Sequence, residues 1–117
     1  MSTISENGIL QVTADEGAQR VDEGALLLDV REDDEWTAGH APDAQHLPLS
    51  RLQAEHGTLP KDQPIVVICR VGGRSERAAV ALKSAGYDAM NLAGGMRAWA
   101  AAGQPVITDA GGAGTVI

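Results

Sequence analysis

Phenylalanine is absent and tyrosine occurs once, so Trp36 and Trp99 supply most of the aromatic surface, and both are expected in the core. The single cysteine, Cys69, excludes an internal disulfide, and a free thiol fits a reducing compartment. No stretch approaches the roughly 18 consecutive apolar residues that a membrane helix requires. The opening residues, MSTISENGIL, show no basic segment leading into an apolar one. No secretory signal is therefore visible, and the expected compartment is the cytoplasm. Basic residues are few: nine Lys and Arg stand against sixteen Asp and Glu, a net charge of -7. That balance argues against a nucleic-acid partner, whose phosphates demand clustered cations. His46 and His56 have no partner at the spacing of a metal site, and no metal is expected.

What is present is a chain of 117 residues with 44% apolar and 21% charged residues, the make-up of one globular domain. Short apolar runs alternate with helical patterns. LQVT reads as a first strand, and Thr13 with Glu16 forms a capping box that opens a helix to about Asp22. ALLLDV has the length and continuity of a buried parallel strand ending near Asp29. REDDEWTAG reads as a short helix with a solvated acidic start, stopped by Gly39. AQHLPL suggests a short strand, and SRLQAEHG a short helix capped by Ser50 and closed by Gly57. PIVVIC is the clearest strand and ends at Cys69; a helix from about Ser75 to Gly86 follows, with Ala78, Ala79, Leu82 and Ala85 on one side. YDAMNL is a further strand, Gly94–Gly95 a turn, and MRAWAAAG a last helix. From Gln104 the periodicity is lost. The expected organisation is one domain over residues 1–107, with 108–117 a Gly-rich flexible tail. Strands separated by helices predict an α/β fold: about five mainly parallel strands with helices on both faces, a three-layer sandwich.

Ligands of such sheets bind beyond the carboxyl ends of the strands, where Asp29 and Cys69 would both lie. After Cys69 the chain turns at once into a helix, and Gly72 and Gly73 permit conformations closed to other residues. Such a turn can aim successive N–H groups at one point, with the helix start adding positive charge. Lowering a thiol pKa by two units takes about 2.7 kcal/mol. A helix end supplies about 0.3–1 kcal/mol and each hydrogen bond to a charged group about 1.5–3 kcal/mol, so an activated thiolate is energetically reasonable. A cysteine ending an apolar strand can also be plain core. The two glycines, Arg70, Arg74 and the helix start that follow at once favour the reactive reading. Arg70, Arg74 and Arg77 also make the neighbourhood positive on an acidic chain, which suits a small anion.

These residues resemble the rhodanese family. LLLDVRE is similar to its Asp-Val-Arg strand end, WTAGHAPDAQHLPL to its aromatic-x-x-Gly-His segment, CRVGGRS to its active loop, and NLAGGMRAW followed by GQPV to its closing segment. Trp36, Ala41 and Asp43 depart from the commoner residues, away from the loop. The resemblance implies a sulfurtransferase with a rhodanese-like fold. Cys69 would take the sulfane sulfur of thiosulfate or another persulfide donor as a covalent persulfide, with no cofactor, and pass it on by double displacement. The loop of Arg70, Val71, Gly72, Gly73, Arg74 and Ser75 would hold donor and persulfide, the two arginines attracting the anion. Asp29 and Arg31 would orient the loop or form a structural ion pair, and His40 would brace the fold. With no second cysteine the acceptor must be external: a thiol, cyanide or a protein.

Two other classes stay open. A non-catalytic or protein-to-protein sulfur relay would use the same cysteine. Phosphatases and arsenate reductases of related fold use a loop one residue longer; here four residues separate Cys69 from Arg74, which resembles the sulfur-sized loop and, by that family analogy, would crowd a tetrahedral oxyanion. No membrane partner is expected, and the chain is expected as a monomer or homodimer.

Overall fold

The computed structural model describes residues 3–117. Among these described residues six strands form one sheet: β1 (Thr3–Ile4), β2 (Leu10–Val12), β3 (Leu26–Asp29), β4 (Gln45–His46), β5 (Ile65–Ile68) and β6 (Ala89–Leu92). Their spatial order is β1-β2-β6-β5-β3-β4, and every pairing is parallel except β1 with β2. The extra strand over the five expected is β1, two exposed residues that pair antiparallel with β2 across a turn closed by Ser5 and Ile9. Two residues carry no period-2 pattern, so the sequence does not announce them.

The strand alternation sorts side chains into two layers. Ile65 and Val67 of β5 and Cys69 just after it pack with Leu28, Leu52, Ala78, Ala79 and Leu82 beneath α3 (Leu49–Glu55) and α4 (Gly73–Ser84). Val66 and Ile68 pack on the other face with Val12, Leu27, Leu92, Met96 and Trp99, under α1 (Ala14–Asp22) and α5 (Gly95–Ala101). A strand buried on both faces explains why IVVI reads as a continuous apolar run. Among the described residues no helix is long and apolar enough to cross a membrane.

Local structure agrees with expectation at one cap and differs from it in four places. Thr13 does cap α1 in a capping box with Glu16. Ser50, by contrast, does not cap α3: that helix starts at Leu49 after Pro48, and the Ser50 hydroxyl donates to Glu32 instead. Helix α4 begins at Gly73, two residues before Ser75, because Gly72 already adopts the left-handed conformation, at φ +108°. Trp36, on α2 (Asp33–Ala38), is outside the core: its half-buried ring is stacked against both His40 and His46. The aperiodic stretch after Gln104, expected to fray, is laid back along the domain. Ile107 and His40 exchange backbone hydrogen bonds, and Thr115 N–H donates to Ala38. These contacts use backbone groups, which a side-chain pattern does not reveal.

Candidate active site

Strands β3 and β5 are in register, Asp29 beside Ile68, so the residues that follow them emerge together at the carboxyl edge of the sheet. There the chain leaves β5 at Cys69 and closes a tight ring into α4. Two backbone features shape it. Gly72 supplies the left-handed turn that a side chain disfavours. The start of α5 then holds the ring from behind: Met96 N–H donates to Cys69 O at 2.7 Å and Arg97 N–H to Arg70 O at 3.1 Å. With the first two loop carbonyls drawn outward, N–H groups are left facing the sulfur. Gly95 makes this approach feasible, because a Cβ there would lie 2.4 Å from Cys69 O.

Cys69 is 1% exposed, its sulfur at the floor of the ring. Gly72 N–H donates to Sγ at 3.1 Å, and the Ser75 hydroxyl lies 3.2 Å from it. Burial pushes the thiol pKa up, but hydrogen bonds from the Ser75 side chain and from the backbones of Ser75, Gly72 and Val71 outweigh it and hold it below the ordinary cysteine value. A lowered pKa raises the fraction present as nucleophilic thiolate. Beside the ring a cleft of about 500 Å³ opens between the Ser5–Asn7 turn and residues Val71–Gly73, with Val71 53% exposed at its rim. A larger concavity of about 680 Å³ lies at the opposite edge, lined by Arg20, Pro64 and Ala89, away from the sulfur.

The other singled-out residues separate into two groups. Gly72, Gly73 and Ser75 sit in the ring or its helix start, whereas the two arginines expected to attract an anion are both engaged elsewhere. Arg74 forms a fork with Glu35, with distances of 2.6 and 2.7 Å. That pairing raises the Arg74 pKa and lowers that of Glu35. Arg70 Nε donates to Ile117 O at 3.0 Å. Asp29 and Arg31 are both fully buried and joined in a two-pronged ion pair. Arg31 also donates to Gly39 O and Glu35 O, and so fixes the helix that presents Glu35 to Arg74. His40 lies outside the ring; its ring nitrogens meet the Ala41 carbonyl at 3.1 Å and the Asp109 carboxylate at 2.8 Å.

Glu35, Asn91 and Gln11, which the sequence does not single out, complete the site together with Glu76, whose place after the loop suits a pocket rim as well as plain surface. Glu35 was hidden in an acidic run that reads as solvated. Asn91, with Gln11 and Glu76 behind it, reaches Ser75: Ser75 Oγ donates to Asn91 Oδ1 at 2.6 Å. The signal for Asn91 was a polar residue inside the apolar strand AMNL, and it is 3% exposed.

The model of the rhodanese-like domain matches residues 13–102. The chain belongs to the rhodanese-like family. This rhodanese-like domain is 39% identical over 90 residues to a sulfurtransferase of Allochromatium vinosum, covering 76% of this chain and 84% of that one. Its fold matches a rhodanese-related protein of Thermoplasma volcanium at a TM-score of 0.80, with 28% identity over 85% of this chain and 98% of the other. A rhodanese-like domain protein of Staphylococcus aureus superposes at 0.71, with 31% identity over 76% of this chain and 89% of the other.

Proposed function

We propose that this rhodanese-like domain is a sulfurtransferase that carries sulfane sulfur as a persulfide on Cys69. The observation that carries the reading is the Cys69 sulfur held at the floor of a six-residue ring by a loop N–H and the Ser75 hydroxyl. Such a ring stabilises negative charge on the sulfur. In the first displacement the Cys69 thiolate attacks the sulfane sulfur of the donor. For thiosulfate, the Sγ–S bond forms as the donor's S–S bond breaks, and the electron pair leaves with sulfite. In the second, an external nucleophile attacks the outer sulfur and the pair returns to Cys69. Cyanide would depart as thiocyanate, a thiolate as a new persulfide. Charge is conserved in both steps, and the cycle needs no cofactor.

The second reading, a relay between proteins, has its own support. Arg74 is neutralised by Glu35, and Arg70 has its Nε–H turned to Ile117 O, so the arginine nearest the helix start is not free for a small anion in this arrangement and the other is drawn toward the chain's end segment. A donor or acceptor carried by a protein needs neither, and exposed Val71 lies where such a partner would touch.

Intact-mass measurement under non-reducing conditions, after thiosulfate and desalting, tests both on wild type and Cys69→Ser. The expected result is one added sulfur atom in wild type alone, removed by cyanide with release of thiocyanate. No gain from thiosulfate but gain from an organic persulfide assigns the relay. No gain from either refutes sulfur transfer through Cys69.

A further inference from the structure

The Ser75 hydroxyl has one proton and faces two acceptors. It lies 2.6 Å from Asn91 Oδ1 and 3.2 Å from Cys69 Sγ. The orientation of the Asn91 amide is set by groups that only accept or are themselves fixed. Asn91 Nδ2 donates to the Gly72 carbonyl and to Gln11 Oε1. Gln11 Nε2 in turn donates to the Ile9 carbonyl and to a Glu76 carboxylate oxygen. Carbonyls anchor both amides, so Oδ1 of Asn91 must present lone pairs to Ser75. Glu76 completes the chain. Burial pushes its pKa up, but donors from Ser5, Asn7, Gln11 and Asn91 outweigh this and hold it below the ordinary carboxylate value, so it remains an anchor that only accepts.

We infer that Asn91 is a positioning residue that sets the acidity of Cys69 by competing with its sulfur for the Ser75 proton. With Cys69 as thiol, every group is matched: S–H donates to Ser75 Oγ, and Ser75 donates to Asn91. When Cys69 ionises, Ser75 must turn its proton to the sulfur, and buried Asn91 Oδ1 loses its donor. Asn91 therefore opposes the thiolate, while Ser75 supports it. Formation of a persulfide moves the charge to the outer sulfur, and the Ser75 proton can return to Asn91. The charged groups about this corner are Arg74 on α4, Glu35 of α2 paired with it, Arg70 of the loop itself, the closed Asp29–Arg31 pair at the end of β3, and Glu76 at the far end of the chain. The acidity effect does not require sulfur transfer; only its bearing on turnover rests on the function proposed above.

The test is the pH profile of Cys69 alkylation by iodoacetamide in wild type, Ser75→Ala, Asn91→Leu, Asn91→Ala and the double variant S75A/N91L, each checked for folding by circular dichroism. Removing the competing acceptor is expected to lower the midpoint by about one pH unit, the scale of one hydrogen bond to an ionised group. Removing the hydroxyl is expected to raise it. The double variant should match S75A, because without the proton Asn91 has nothing to compete for. If N91L does not fold, N91A decides. A midpoint that stays or rises in the folded Asn91 variants, as loosening of Gly72 alone would produce, overturns the inference, and so does a persistent Asn91 effect in the S75A background. Sulfur loading of the same variants is read separately, so failure of the proposed function is distinguishable from failure of this one.

Discussion

Gly95→Ala tests whether the start of α5 is what shapes the cysteine loop. Gly95 sits at φ +59°, and a Cβ on it would lie 2.4 Å from Cys69 O, 2.5 Å from Arg70 C and 2.6 Å from Arg70 O. All three are backbone atoms, so no flexible side chain can move aside. Relief requires α5 and the loop to separate, which loses the hydrogen bonds from Met96 to Cys69 and from Arg97 to Arg70. Each is worth about 0.5–1.5 kcal/mol net. The left-handed backbone adds about 1–2 kcal/mol for a residue with a Cβ. Together these predict a loss of about 2–5 kcal/mol, a large part of the roughly 5–15 kcal/mol that stabilises a domain. Urea unfolding followed by tryptophan fluorescence measures it, since Trp99 is buried on α5. The alkylation midpoint of Cys69 is expected to rise as well, because the loop N–H groups turn away from the sulfur. Gly57→Ala is the control: nothing lies within 4 Å of a Cβ there, and the change should stay within about 0.5 kcal/mol. Wild-type stability and an unmoved midpoint in G95A would refute the account of the loop.

Glu35→Gln removes the carboxylate that holds Arg74. The pair is part-buried and doubly hydrogen-bonded, so a loss of about 1–2 kcal/mol at neutral pH is expected, between exposed and buried ion pairs. The sign with pH follows from the lowered folded pKa of Glu35, caused chiefly by Arg74. Its stabilisation is full above the ordinary glutamate value and is lost as pH falls through the lower folded one, so the gap between wild type and E35Q should close on acidification. If the freed Arg74 then binds small anions, thiosulfate should load E35Q more readily than wild type, as read by intact mass. Asp29→Ala leaves Arg31 buried without its partner, and about 3–5 kcal/mol should be lost in chemical unfolding. A loss below about 1 kcal/mol would show that Arg31 finds another anion or reaches water.

The parallel order of the sheet and the place of the thiol were legible because they rest on signals carried by neighbouring residues. IVVI is apolar on both faces because both faces are covered. Cys69 followed by Gly72 and a helix start declares a tight turn at a strand end. Residues distant in sequence carried no such signal. Glu35 lies 39 residues from Arg74, and Gln11 lies 80 from Asn91. A glutamate in an acidic run gives no sign that its helix, anchored by Arg31, will point it at an arginine of another element. The two-residue strand β1 and the stretch after Gln104 were illegible for a related reason: they are held largely by backbone hydrogen bonds, which most sequences can make.

The sequence by itself determined that one cysteine would stand at a carboxyl strand end inside a glycine-rich turn, because hydrophobic periodicity and glycine's conformational freedom are local properties. Only the tertiary structure decided how acidic that thiol would be and which charges would reach it. Burial raises its pKa, donors from the ring lower it, Asn91 competes for one of those donors, and Glu35 pairs with Arg74. Each of these effects depends on distances of about 3 Å between residues on different elements, and packing alone sets such distances.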